Sequence, residues 1–176
     1  MAKKRLVAGL VLSISCCSPA SADSYKNFHV AVYARAYEVR EMGDLTKLAE
    51  RFDLMQKHVK ISKIYLETHR DMIVVDQETL DKAKAFFAAR GVQTSGGITI
   101  TVNEMNRFQT YCYTNPEHRR KLREIVEFTA RNFDEIILDD FFFTNCKCPS
   151  CIAAKGRRSW TEFRLDLLTR AAKELI

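Results

Sequence analysis

Four times along this chain a short β-branched or aromatic run gives way to a long amphipathic stretch. That alternation limits the available folds more than any other feature. The runs are FHVAVYAR (Phe28–Arg35), ISKIYLE (Ile61–Glu67), VQTSGGITITV (Val92–Val102) and DEIILDD (Asp134–Asp140). After the first, Asp44 is placed to N-cap a helix over Leu45–Lys57, where Leu45, Leu48, Phe52 and Met55 recur at helical spacing. Asp76 opens the second helical stretch and Gly91 ends it. Pro116 suits the first turn of the third, whose Leu122, Ile125, Val126 and Thr129 share a face. The fourth runs from Trp160 to Ile176.

Strand and helix alternating at this pitch predict an α/β fold, a parallel sheet with helices packed over it. Two architectures fit a (βα)4 segment: the N-terminal half of a (β/α)8 TIM barrel, which needs about 250 residues when whole, or a small doubly wound parallel sheet. The stretches that follow the strands are long and rich in polar and charged residues, whereas the turns that precede them are short. A nucleotide-binding doubly wound sheet would show a Gly-rich phosphate turn after its first strand, and "AYEVREMG" is not one. The pattern is still helical at Ile176. The half-barrel is therefore preferred, and the domain is expected to be incomplete at its C-terminal end.

Residues 1–22 are expected to be a signal peptide. Lys3, Lys4 and Arg5 form a basic start, Leu6 to Ile14 a short apolar run, and Ala20-Ser21-Ala22 a small-residue cleavage site. The apolar run is too short for a spanning helix, which needs roughly 20 residues. Cys16 and Cys17 raise a lipoprotein reading, but Ser13 stands where Leu is usual before a lipidated Cys16. Removing this segment leaves 154 of 176 residues, one ordinary domain over 23–176, and lowers the formal charge of +6 by three. The remaining Lys and Arg interleave with Asp and Glu, as on a solvated helix surface. The expectations are a secreted or periplasmic protein with no nucleic-acid partner and no membrane contact beyond export.

Four cysteines then remain: Cys112, and Cys146, Cys148 and Cys151 in the spacing C-x-C-x-x-C. Exported proteins usually pair cysteines as disulfides. Here Cys146 and Cys148 are too close to bridge comfortably and only Cys112 is distant, so one bridge would have to lie inside the cluster, as Cys148–Cys151. A redox role is weaker, because Cys148-Pro149-Ser150-Cys151 does not open a helix directly after a first strand. Four thiolates are what a tetrahedral structural zinc takes, and in a barrel the third and fourth strand-to-helix loops meet at one rim. Zinc is the favoured reading, with disulfides the alternative.

The lone cysteine followed by C-x-C-x-x-C, with "CKCPSCIAAKGRRSWTEF" leading into a helix, resembles the zinc clip of family 42 glycoside hydrolases, the β-galactosidases. More broadly, "FDEIILDDFFF" resembles the fourth strand of secreted glycosyl-hydrolase-like TIM barrels. The resemblance covers roughly Cys112 to Phe163. It implies an enzyme acting on O-glycosidic bonds of a carbohydrate, with Cys112, Cys146, Cys148 and Cys151 on zinc. Family 42 enzymes carry Asn-Glu where this chain has Asp139-Asp140, so the resemblance does not extend to galactosidase specificity.

Alternation along the fourth strand puts Asp139 and Asp140 on opposite faces. The resemblance makes Asp139 the better catalytic candidate, and Phe141 to Phe143 beside it would desolvate a carboxyl and suit a general acid. Hydrolysis needs two carboxylates, about 5 Å apart for retention and about 6.5–9.5 Å for inversion. Glu67, ending the second strand, is the candidate partner. Arg35, Tyr37, His69, Arg70 and Asp71 follow strand ends and are candidate substrate-binding residues, while Tyr37, Phe108, Tyr111 and Phe142 are candidates to stack on sugar rings or to pack the protein's interior. The rival reading is a non-catalytic, zinc-stabilised carbohydrate-binding or interaction protein, completed as a homodimer if the chain is whole.

Overall fold

The protein, seen in a computed structural model, is described for residues 25–139 and 142–175. The expected signal peptide and Asp140 lie outside the described residues. The elements run β1 (Val30–Ala34), α1 (Ala36–Glu41), α2 (Leu45–His58), β2 (Ile61–Arg70), β3 (Ile73–Val74) and α3 (Gln77–Ala88). They continue as β4 (Gln93–Ile98), β5 (Thr101–Asn103), β6 (Gln109–Thr110), α4 (Pro116–Asn132), β7 (Ile136–Leu138), α5 (Pro149–Lys155) and α6 (Trp160–Leu175).

β1, β2, β4 and β7 lie side by side in that order, all parallel. Each successive strand joins the same growing edge. Among the described strands the order does not reverse, as it would at the switch point of a doubly wound sheet. The expected α/β fold with a mostly parallel sheet is present, and its helix starts follow the local chemistry. The Asp44 side chain accepts from the Lys47 amide (3.1 Å), Asp76 from the Thr79 amide (2.8 Å), and Asn115 caps α4 immediately before Pro116.

Side chains of one sheet face pack under the helices. Ile64 and Leu66 of β2 meet Phe52 of α2 and Leu80 and Phe87 of α3. Ile98 of β4 joins Leu122 and Ile125 of α4 and Ala171 of α6. The opposite face carries Tyr33, Glu67 and, beyond the last residue of β7, Asp139. The two glycines inside β4 serve one face each. A Cβ on Gly96 would stand 2.6 Å from Thr129 Cγ2 and 2.8 Å from Phe133, so α4 rests directly on the strand backbone there. A Cβ on Gly97 would stand 2.6 Å from the Tyr33 hydroxyl on the other face.

Several local expectations are corrected. β2 does not stop at Glu67. It runs to Arg70 and turns back as β3 through Asp71 (φ 50°) and Met72 (φ 65°), a two-residue hairpin turn with both central residues left-handed. The expected strand Val92–Val102 divides at Ile98, and its end pairs antiparallel with β6 as a separate small sheet. Leu45 and Met55 of the expected buried face are exposed. The reason for Met55 lies at the sheet edge. β1 has β2 on one side and no described strand on the other, and Val32, Leu48, Leu54 and Met55 line an apolar cavity of about 480 Å³ there. Tyr111 and Phe142 are buried beside Ile98 and pack the protein's interior, the second of the two alternatives for them.

Gly96→Ala is expected to lower the unfolding free energy by about 1–3 kcal/mol, because α4 must move off the strand. Urea unfolding checks this, and an unchanged midpoint would contradict it.

Candidate functional site

The C-terminal ends of the parallel strands converge on one guanidinium. Arg70 lies three residues past Glu67, with a register shift between Glu67 and His69. Its Nε donates to Glu67 Oε2 (2.8 Å) and its Nη2 to Glu67 Oε1 (2.9 Å). The same Nη2 reaches Thr99 Oγ1 and Asp139 Oδ2, both at 2.9 Å, and Nη1 pairs with Glu104 just past β5. Burial alone would pull Arg70 down, but Glu67 and Glu104 outweigh it and hold the proton above the usual arginine range.

Glu67 is wholly buried, and each of its oxygens has several donors. Oε1 accepts from the Tyr33 hydroxyl (2.7 Å), and Oε2 from the Ala36 backbone amide (2.7 Å) at the start of α1. Burial, then the neighbouring Glu67 charge, raises the Tyr33 hydroxyl above the usual tyrosine range. Thr99 is also wholly buried, and its hydroxyl touches both carboxylates: Glu67 Oε1, and Asp139 Oδ2 at 2.6 Å. Asp139 is held by its own amide donating to the Ile98 carbonyl (3.0 Å), and its side chain keeps 26% of its surface exposed.

Of the residues singled out in the sequence, Glu67, Arg70 and Asp139 thus form one cluster. His69 is buried beside it. Its Nδ1 meets the Thr99 carbonyl (2.7 Å), which can only accept, so Nδ1 carries the hydrogen and Nε2 faces the Tyr111 hydroxyl (3.3 Å). Burial lowers the His69 pKa, which favours that neutral ring. Asp71 sits at the rim, accepting from the Tyr37 hydroxyl (2.7 Å) and the Glu104 amide (2.9 Å). Burial and the adjacent Asp71 push the Tyr37 hydroxyl up to about 12. Arg35 is exposed and pairs with Glu38 (2.5 Å). Tyr33, Thr99 and Glu104 were not foreseen. Two-residue alternation from Glu67's neighbours would have put Tyr33 and Thr99 on this face, but only with the strand register in hand.

The second centre lies beside it. Cys112 follows β6, Cys146 and Cys148 follow β7, Cys148 caps α5, and Cys151 lies in that helix. The four sulfurs lie within 4.8 Å of one another, and none is disulfide-bonded. Cys112 Sγ stands 3.5 Å from Cys151 Sγ and 3.9 Å from Cys148 Sγ. Four sulfurs at about 2.3 Å from a tetrahedral ion would be about 3.8 Å apart, so this group could hold a metal ion. Thr114 Oγ1 contacts Cys112 (3.0 Å) and Cys151 (3.2 Å), and the Cys112 amide donates to His118 Nδ1 (2.9 Å). Burial pushes the Cys151 thiol up to about 12, whereas the Cys151 amide beside Cys148 draws that thiol down to about 6.

Comparisons with known proteins bear on both centres. The family model described as "probable glycosyl hydrolase, catalytic domain" matches residues 18–176, and the chain belongs to that family. An uncharacterized protein of Saccharolobus solfataricus is 35% identical over 130 residues, which is 69% of this chain and 21% of that protein. The chain therefore spans about a fifth of that relative's length. The crystal structure of a hypothetical protein from Ruminiclostridium thermocellum shares the fold at a TM-score of 0.54 and 14% identity, covering 82% of this chain and 93% of that one.

Anaerobic titration of the reduced protein with Co²⁺ is expected to give thiolate charge-transfer absorption saturating at one ion per chain, weakened in Cys148→Ser. Absence of those bands would contradict a four-sulfur metal site.

Proposed function

We infer that this chain contributes the first half of an exported (β/α)8 glycoside hydrolase, with Asp139 as the carboxyl that meets the glycosidic oxygen. What carries the reading is the position of Asp139 in a member of this family: at the C-terminal end of a parallel strand, on the sheet face away from the helices, beside Arg70 and Thr99 and partly open to solvent. The strand order supports the barrel, since three strands added in turn to one edge of β1 leave β1 and β7, among the described strands, each open on one side. Four further βα units would pair both edges and cover Val32, Leu54 and Met55. The greater length of the Saccharolobus solfataricus relative favours the same polypeptide as their source over a second copy.

Glu67 is assigned a positioning role, because a side chain with no exposed surface does not reach a sugar. The second catalytic carboxylate is then expected from a later strand, and Asp140 keeps its place as a candidate beside Asp139. Arg35, Tyr37 and Asp71 are the proposed sugar-contacting rim, with Arg70 acting through Asp139 and His69 through the Thr99 backbone. Zinc is the proposed ion for Cys112, Cys146, Cys148 and Cys151, since four thiolates in tetrahedral spacing suit it. Its role would be structural, holding the two loops beside the cluster. Residues 1–22 support export to the periplasm or beyond.

The rival, a non-catalytic carbohydrate-binding protein, has one observation in its favour: only Asp139 of the buried carboxylate pair reaches the surface. Asp139→Asn separates the two in the full polypeptide. A hydrolase is expected to lose about 10²–10⁴-fold in kcat on aryl glycosides, with circular dichroism checking that the variant stays folded. Unchanged hydrolysis would contradict the role of Asp139, and sugar binding with no hydrolysis in either protein would favour the binder.

A further inference from the structure

Hydrogen counting at Thr99 identifies where the cluster keeps a proton. The Thr99 hydroxyl has one hydrogen and two lone pairs. It lies against three partners: Glu67 Oε1, Asp139 Oδ2 (2.6 Å) and Arg70 Nη2 (2.9 Å). Arg70 can only donate, so it occupies one lone pair. A single hydrogen cannot serve both carboxylates. If both were ionised, one close oxygen–oxygen contact would set lone pair against lone pair in a buried site.

Glu67 does not relieve that contact. Its Oε2 faces the N–H groups of Ala36 and Arg70, and its Oε1 faces Arg70 Nη2 and the Tyr33 hydroxyl, a donor set suited to an anion. A proton on Asp139 Oδ2 does relieve it. Asp139 then donates to Thr99, Thr99 donates to Glu67, and every valence of the hydroxyl is used. The charges around Asp139 agree. Among the described residues Asp139 pairs with Arg70 of β2 and meets the Thr99 hydroxyl after β4, the neutral Tyr33 of β1 lies near enough to feel its charge, and Glu67 and Glu104 bind the same guanidinium. Three carboxylates share one guanidinium, because Arg35 is taken up by Glu38. Arg70 Nη2 also attracts an ionised Asp139, but its two hydrogens are divided among three oxygens.

We propose that the Thr99 hydroxyl is a one-proton switch between Glu67 and Asp139 that keeps Asp139 protonated in the resting protein. The proposal rests on Asp139 being the acid of the preceding section and assigns its positioning residue. When the Asp139 O–H turns from Thr99 to the leaving-group oxygen and gives up its proton, the C–O bond electrons stay with that oxygen and Asp139 becomes a carboxylate. The Thr99 hydrogen then turns from Glu67 to Asp139; Glu67 keeps its four other donors, and its unfavourable oxygen–oxygen contact with Thr99 lasts only until Asp139 regains a proton. No proton beyond the one transferred is needed.

The test is carboxyl ¹³C NMR of the full chain labelled at aspartate, with the Asp139 signal assigned by its loss in Asp139→Asn. The expected result is a protonated Asp139 at pH 6, titrating above the ordinary aspartate range. An ionised Asp139 at pH 6 overturns the proposal. Glu104→Gln, at the partly exposed edge of the cluster, is expected to lower that midpoint by about one pH unit by removing a like charge, and an unmoved midpoint counts against the charge argument. Thr99→Val is expected to lower it as well, since the protonated carboxyl loses its acceptor, while Thr99→Ser restores the wild-type value. Equal behaviour of Val and Ser would overturn the role of the hydroxyl. If the Val protein fails to fold, the wild-type and Glu104→Gln titrations decide. No substrate enters this measurement, so a protonated Asp139 in a protein that hydrolyses nothing would remove the glycosidase reading alone.

Discussion

The Arg70 guanidinium and the carboxylates around it hold the strand ends of this protein together. Arg70 and Glu67 come from β2, Thr99 follows β4, Glu104 follows β5 and Asp139 follows β7. Burying a charge is costly unless it is paired and hydrogen-bonded. Once Glu67 is fully enclosed, Arg70 must sit against it, and the hairpin that carries Arg70 must fold back as it does. A buried ion cluster adds less to stability than well-packed apolar residues would, but breaking it by removing one partner costs about 3–5 kcal/mol. Its effect here is to fix where Asp139 points.

The cysteine cluster and the acidic cluster share their scaffolding. Cys112 is the residue after Tyr111, whose hydroxyl meets His69, and His69 in turn holds the Thr99 carbonyl. From the other side, Asn145 precedes Cys146 and exchanges hydrogen bonds with Thr110, which joins the loop after β7 to the small β5–β6 sheet. An ion bound by the four sulfurs would draw together the two loops that flank Thr99 and Asp139. The cluster is thus well placed to stiffen the acid site without touching it.

The sequence pattern was informative where the physics is local. The helix starts at Asp44, Asp76 and Pro116 follow from capping and periodicity, and the strand–helix alternation from which a parallel sheet was expected is present. The cysteine spacing led to the four-sulfur cluster. What was not legible depends on contacts between distant segments. The turn at Asp71-Met72 lacks the usual Asn-Gly or Asp-Gly pair, so β2 and β3 could not be joined in advance. His69 and Arg70 looked like loop residues and are buried, because the extension of β2 carries them into the sheet. Thr99 resembled any strand threonine. Its importance comes from the register that sets it between Glu67 and Asp139, and short α1 and α5 carry too few residues to show a period.

If Asp139 is the acid, the part of its surface that this cluster leaves open is where a glycosidic oxygen lands. A crystal structure of the full polypeptide with an uncleaved oligosaccharide or an iminosugar analogue tests it most directly. A sugar oxygen is expected within about 2.6–3.2 Å of the Asp139 carboxyl, over the strand ends and flanked by Tyr37 and Asp71. A sugar bound elsewhere, with Asp139 still enclosed by Arg70 and Thr99 and out of its reach, would contradict it.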